Sequence, residues 1–129
     1  MAHATADIST VNYTVSLMAG HHPLTADEGA AAGGQDAGPS PHELLCAALA
    51  ACTAITLRMY AQRKEWALRA VRVEVVLHFE GKEARSATRR LRLTGDLDAA
   101  QRARLADIAE RTPVTLTLKQ GVAITTILE

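Results

Sequence analysis

The sequence predicts an α+β fold in which a helix lies on a mainly antiparallel sheet. Three observations carry this: segments of strict two-residue alternation, a long stretch without charge that opens on a helix cap, and a strand pair joined by a Gly-Lys turn. A chain of 129 residues is one domain's worth, and residues 1–129 are read as a single domain.

Val11 to Leu17 alternates, with Val11, Tyr13, Val15 and Leu17 on one face and Asn12, Thr14 and Ser16 on the other, and so reads as a half-buried strand. Gly20 ends it. His22 to Glu28 forms a short return strand, and the Ala- and Gly-rich run Gly29 to Gly38 is a surface loop. Ser40-Pro41-His42-Glu43 is a capping box with Ser at N-cap, Pro at N1 and Glu at N3. The helix it starts carries no charge from Leu44 to Leu57, so it should be buried on every side and end near Arg63 or Lys64. That uncharged stretch is too short to cross a bilayer.

Leu68 to Phe79 alternates again, and after Gly81-Lys82 the run Ala87 to Thr94 continues as its antiparallel partner, with Leu91 and Leu93 inward and Arg90 and Arg92 outward. Asp96 is the expected N-cap of a second helix, on which Leu97, Leu105 and Ile108 share a face. Thr112-Pro113 stops it. Thr112 then caps a short helix with Pro113 at N1, although Val114, Leu116 and Leu118 fit a strand equally well. Gly121 breaks the chain, and Val122 to Leu128 is a last strand. One sheet of about five or six strands covers one side of the central helix, so a second copy of the chain is expected to cover the other.

Composition narrows the function. Fourteen basic residues balance fourteen acidic ones, and neither sign is concentrated in a block. Nucleic acid and anionic membranes, which need a concentrated positive face, are therefore not the expected partners. Cys46 and Cys52 make no disulfide framework and no secretory signal opens the chain, which places it in a reducing cytoplasm. The two cysteines lie six residues apart, about 240° around a helix, so they face different ways. Cys46 is read as structural. Cys52 is either a small core residue or a nucleophile, and in mid-helix it needs a cation or donor from elsewhere. Glu43 is explained by its cap, whereas His42 is not needed by it and is free to face a cleft. His21 and His22 precede a loop able to fold over the helix start. No metal is expected, because no Cys-x-x-Cys or His-x-x-x-His accompanies these residues, and no nucleotide or hydrolase motif occurs.

The stretch Gly38 to Thr53, with Thr56 to Ala61 after it, closely resembles the helix signature of the osmotically inducible protein C (OsmC) and organic hydroperoxide resistance (Ohr) family. Asp27-Glu28, Lys64-Glu65-Trp66, Gly95-Asp96-Leu97 and Ile108 to Val114 resemble further blocks of it, so the likeness covers nearly the whole chain. It implies an intertwined homodimer whose sheets wrap two long helices, with sites at the subunit interface. It also implies that Cys52 is the peroxidatic cysteine. The family's resolving cysteine falls at Thr112, its arginine has no counterpart before Arg58, and its glutamate aligns with His42, while His21 or His22 stands near the missing arginine. The expected activity is one-cysteine, thiol-dependent reduction of organic hydroperoxides in a pocket that includes His21, His22, Glu43 and Thr112, with His42 assisting. No cofactor is expected beyond an external thiol. The alternative is a non-catalytic homodimer that binds a small apolar ligand and has lost the redox cycle.

Overall fold

The computed structural model describes Met1–Glu129 and divides into two units, Met1–Leu45 and Cys46–Glu129. The N-terminal unit holds strands β1 (Ala4–Asp7), β2 (Val15–Ala19) and β3 (His22–Ala26), paired antiparallel in that order. The pairs Ala4↔Ala19 and Val15↔Ala26 fix the register. A 3₁₀ turn at Ala30–Ala32 and the first residues of helix α1 (Pro41–Lys64) complete it.

Val11 to Tyr13 do not extend β2 as the alternation predicts, and the reason is Asp27. Its fully buried carboxylate accepts the Tyr13 and Glu28 N–H groups on Oδ1, at 3.2 and 2.8 Å. Oδ2 takes the Thr14 hydroxyl and the Gln35 and Ala37 N–H groups. The Tyr13 donor thus goes to a side chain rather than a strand ladder. Burial pulls the Asp27 carboxyl upward, but these hydrogen bonds outweigh it and hold the group below its ordinary value. The loop packs so closely around it that a Cβ at Gly34 would collide with the Glu28 carbonyl.

Helix α1 starts at the predicted capping box: the Ser40 Oγ accepts the Glu43 N–H at 3.2 Å, and the Glu43 carboxylate accepts the Ser40 N–H at 3.0 Å. It runs through Lys64 and ends with Glu65 in the left-handed region, φ 58°, and the Trp66 N–H returned to the Ala61 carbonyl.

In the C-terminal unit, β4 (Ala67–Glu80) and β5 (Glu83–Asp96) form one long antiparallel hairpin, followed by α2 (Ala99–Ala109) and α3 (Pro113–Gln120). The core joins Leu57 and Ala61 of α1, Leu68 of β4 and Leu105 and Ala109 of α2, with Trp66, Leu91, Leu93 and Ile108 packed around them. By length and composition alone α1 could cross a bilayer; its Leu57 and Ala61 are fully buried in this core.

Three further expectations need correction. The strands form a three-stranded and a two-stranded sheet rather than one. Asp96 closes β5; Asp98 caps α2 instead, in a reciprocal box with Gln101 that satisfies the free N–H groups of the first turn. Val122 to Leu128 forms no strand, because nothing in this chain pairs with it, and all of its residues are exposed. Within this chain α1 buries one face only, which leaves open the side expected to be covered by a second copy. Only the stripe Leu49, Thr53, Leu57 and Ala61 is buried, while Ile55 and Met59 remain 54% and 58% exposed.

Candidate functional site

Cys52, half-buried in α1, meets the first turn of α3. Thr112, fully buried, is the N-cap of that helix, which decides for the helix between the two readings the sequence left open: its hydroxyl accepts the Thr115 N–H at 3.3 Å and its carbonyl accepts the Leu116 N–H. Pro113 at N1 has no donor to place. One N–H of the turn is then left over, that of Val114, and it donates to the Cys52 Sγ at 3.5 Å. The donor that mid-helix Cys52 lacks on its own helix is thus supplied by another. Negative charge is favoured at such a helix N-terminus.

A second feature adjoins it. Arg89 stands on the inward face of β5, opposite Val75, where alternation with Leu91 and Leu93 calls for an apolar residue. Its side chain is only 12% exposed. One terminal nitrogen donates to the Thr53 hydroxyl of α1 at 3.0 Å and to the Thr115 hydroxyl of α3 at 2.8 Å. The other lies 3.8 Å from the Glu110 carboxylate. Thr53 passes its own proton to the Leu49 carbonyl at 2.7 Å, so both of its hydrogen-bonding roles are filled. The Lys119 ammonium, 3.0 Å away, lowers the Glu110 carboxyl below its ordinary value against partial desolvation, and the Arg89 charge adds to this. No buried side-chain polar atom in the chain lacks a partner.

Sequence reasoning passed over Arg89, although the signal was present: the two-residue period that turns Arg90 and Arg92 outward turns Arg89 inward.

The remaining predicted site residues lie in the N-terminal unit. His21 and His22 sit at the turn joining β2 to β3, their rings 4.1 Å apart. His42 and Glu43 occupy the first turn of α1, with the Glu43 carboxyl lowered mainly by the Ser40 N–H it accepts. No three His, Cys, Asp or Glu side chains gather in a set able to hold a metal ion. In the C-terminal unit, a groove of about 420 Å³ runs beside the exposed face of α1, lined by Ile55, Met59, Leu68 and Val71 with Arg58 and Arg69 among its walls. Cys52 does not line it.

The family model for OsmC-like protein matches residues 33–127, nearly three quarters of the chain. The chain belongs to the OsmC family. The matched span contains Cys52, Arg89 and Thr112 and begins after His21 and His22. Among solved structures, an OsmC-like protein from Mycoplasma pneumoniae has the same fold with a TM-score of 0.81 at 16% identity, over 92% of this chain and 87% of that one. An organic hydroperoxide resistance protein OsmC from Legionella pneumophila gives 0.70 at 19% identity, over 92% and 89%. An OsmC-like protein of unknown function from Vibrio cholerae gives 0.71 at 12%, over 91% and 92%. No curated protein matches significantly. The mixed α/β architecture and antiparallel hairpins are those of the OsmC fold.

Proposed function

We propose that this OsmC-family chain reduces organic hydroperoxides through Cys52, with an external thiol as reductant. The observation that carries the reading is the Val114 N–H aimed at the Cys52 sulfur from the start of α3. Membership of the OsmC family supports it, and so does the likeness of fold to an organic hydroperoxide resistance protein.

The Cys52 thiolate attacks the terminal oxygen of the hydroperoxide. An S–O bond forms, the O–O bond breaks, and the alkoxide takes up a proton and leaves as the alcohol. Cys52, oxidised by two electrons, is then a sulfenic acid. Thr112 offers no sulfur, so the cycle closes outside the chain. One external thiol attacks the sulfenic sulfur, releasing water and leaving a mixed disulfide. A second thiol attacks the sulfur of the first, the S–S bond to Cys52 breaks, and the two reductant thiols leave as a disulfide while Cys52 is restored as the thiolate.

The same reading includes a homodimer. Ile55 and Met59 on α1, and Val122, Ile124, Ile127 and Leu128 after α3, present apolar surface that a monomer leaves in water, Leu128 being 96% exposed. A second copy would cover the α1 face and offer the tail a strand to pair with. Apolar surface at that interface suits a substrate with an apolar tail.

Consumption of cumene hydroperoxide with a dithiol as reductant tests the activity. Wild type turns over and Cys52→Ser does not; equal rates for the two would refute the role of Cys52. A wild-type chain that binds the hydroperoxide without consuming it would favour the ligand-binding alternative, to which the missing second cysteine at Thr112 also points.

A further inference from the structure

Arg89 is a cation in a place that ordinary packing would fill with an aliphatic side chain, and the two hydroxyls it reaches lie on different helices. Thr53 follows Cys52 directly in α1, and Thr115 follows Val114 directly in α3. The two atoms of the sulfur contact are therefore each one residue away from an anchor of the same guanidinium. We propose that Arg89 is the positioning residue of the Cys52 site: by tying Thr53 to Thr115 it fixes the first turn of α3 against α1 and keeps the Val114 N–H on the sulfur. The inference rests on the reading of Cys52 as the reactive thiol and goes beyond it by naming what holds the donor in place.

Several features fit this role. The guanidinium does not contact the sulfur in this arrangement; it acts through the two threonines. A bond from a charged donor to a neutral hydroxyl is stronger than one between neutral groups, and both bonds here leave the same nitrogen, whose two hydrogens serve one helix each. The far end of α3 is held separately, where Lys119 meets Glu110. That ion pair is more than half exposed and contributes little. The sheltered clamp at the first turn is therefore the stronger constraint on where the Val114 N–H points. A methionine in place of Arg89 would fill a similar volume, but would leave the Thr53 hydroxyl without its donor and Thr115 bonded only within its own segment, to Thr112 and Ala109, so that nothing ties the turn to α1 through these residues.

The test compares the alkylation of Cys52 by iodoacetamide with that of Cys46 in the same molecule, near neutral pH, for wild type, Arg89→Gln, Arg89→Lys and Thr115→Val. Folding is checked by circular dichroism, and Cys46 serves as the internal reference. Arg89→Gln is expected to slow Cys52 about fivefold relative to Cys46, the size of a lost helix-terminus interaction. Thr115→Val, which keeps the cation and removes the α3 anchor, slows it to a similar degree, and Arg89→Lys recovers part of the loss. In amide hydrogen exchange, the Val114 N–H loses protection in the two impaired variants. Unchanged Cys52 alkylation and Val114 protection in folded Arg89→Gln would overturn the proposal, as would the same result in Thr115→Val should the first variant not fold. Hydroperoxide turnover plays no part in this readout, so a chain that fails to reduce peroxide yet shows the alkylation pattern contradicts the proposed activity and leaves the clamp standing.

Discussion

The Sγ of Cys52 accepts the backbone N–H of Val114 at 3.5 Å, which joins the middle of α1 to the first turn of α3. That turn has one donor its own cap does not use, and the sulfur is where it goes. The contact depends on Thr112, whose hydroxyl and carbonyl take the next two N–H groups.

Thr112→Ala should therefore act on stability and on Cys52 together. Loss of the N-cap costs about 1 kcal/mol, read in a urea titration, and the loosened turn slows alkylation of Cys52 relative to Cys46. Thr112→Ser, which keeps the capping oxygen, restores most of both. A Thr112→Ala chain as stable and as reactive as wild type would show that the cap does not organise the site.

Asp27 makes the N-terminal unit sensitive to acid. Its carboxyl lies below its ordinary value in the folded chain, because the hydrogen bonds it accepts outweigh the effect of burial. A group lowered in this way stabilises the fold above its unfolded value, about pH 3.9, and that contribution is lost as pH falls below it. In urea titrations Asp27→Asn should be less stable than wild type at pH 7, with the difference narrowing toward pH 3. A difference independent of pH would contradict the assignment.

Leu57 is fully buried in the core shared by α1, β4 and α2. Leu57→Ala should cost about 2–5 kcal/mol by lost burial and the cavity left behind. Ile55→Ala, two residues earlier on the exposed face, should cost far less in a monomer, and its effect on folding should grow with protein concentration if that face is covered by a second copy. Light scattering checks the same point: a dimeric mass at micromolar concentration is expected, and a monomeric mass would remove the proposed partner.

Gly95 faces the Ala67 carbonyl across the β4–β5 ladder at φ 153°, and a Cβ there would collide with that oxygen. Gly95→Ala should destabilise the hairpin by about 1–3 kcal/mol, whereas Gly81→Ala in the turn, where no atom lies near the added carbon, should cost less. Thermal melts of the two variants, run side by side, settle the order.

How much of this could be read from the residues varied with how local the cause was. The cap of α1 and the hairpin are written within a few residues, at Ser40 to Glu43 and around Gly81, and both were legible; at Thr112-Pro113 the cap competed with the alternation of Val114, Leu116 and Leu118, and only the fold decided for the helix. The boundary of β2 was not, because Tyr13 and Thr14 are drawn to a carboxylate more than ten residues away. Asp98 was hidden by the nearer-looking Asp96, although Gln101 three residues on marked it. Val122 to Leu128 has the β-branched content of a strand, but composition names no partner. At the site, Cys52 and Thr112 were legible from the family signature, whereas the Val114 donor depends on how two helices meet. Arg89 lies between these cases. Its inward position follows from the strand period, but its threonine partners follow only from the fold.

The most direct measurement of the central claim treats the reduced protein with one equivalent of cumene hydroperoxide in the presence of dimedone and locates the adduct by peptide mass spectrometry. The adduct is predicted on Cys52, with Cys46 unmodified. No adduct on a Cys52 that could be alkylated beforehand, or an adduct on Cys46 alone, would contradict the account.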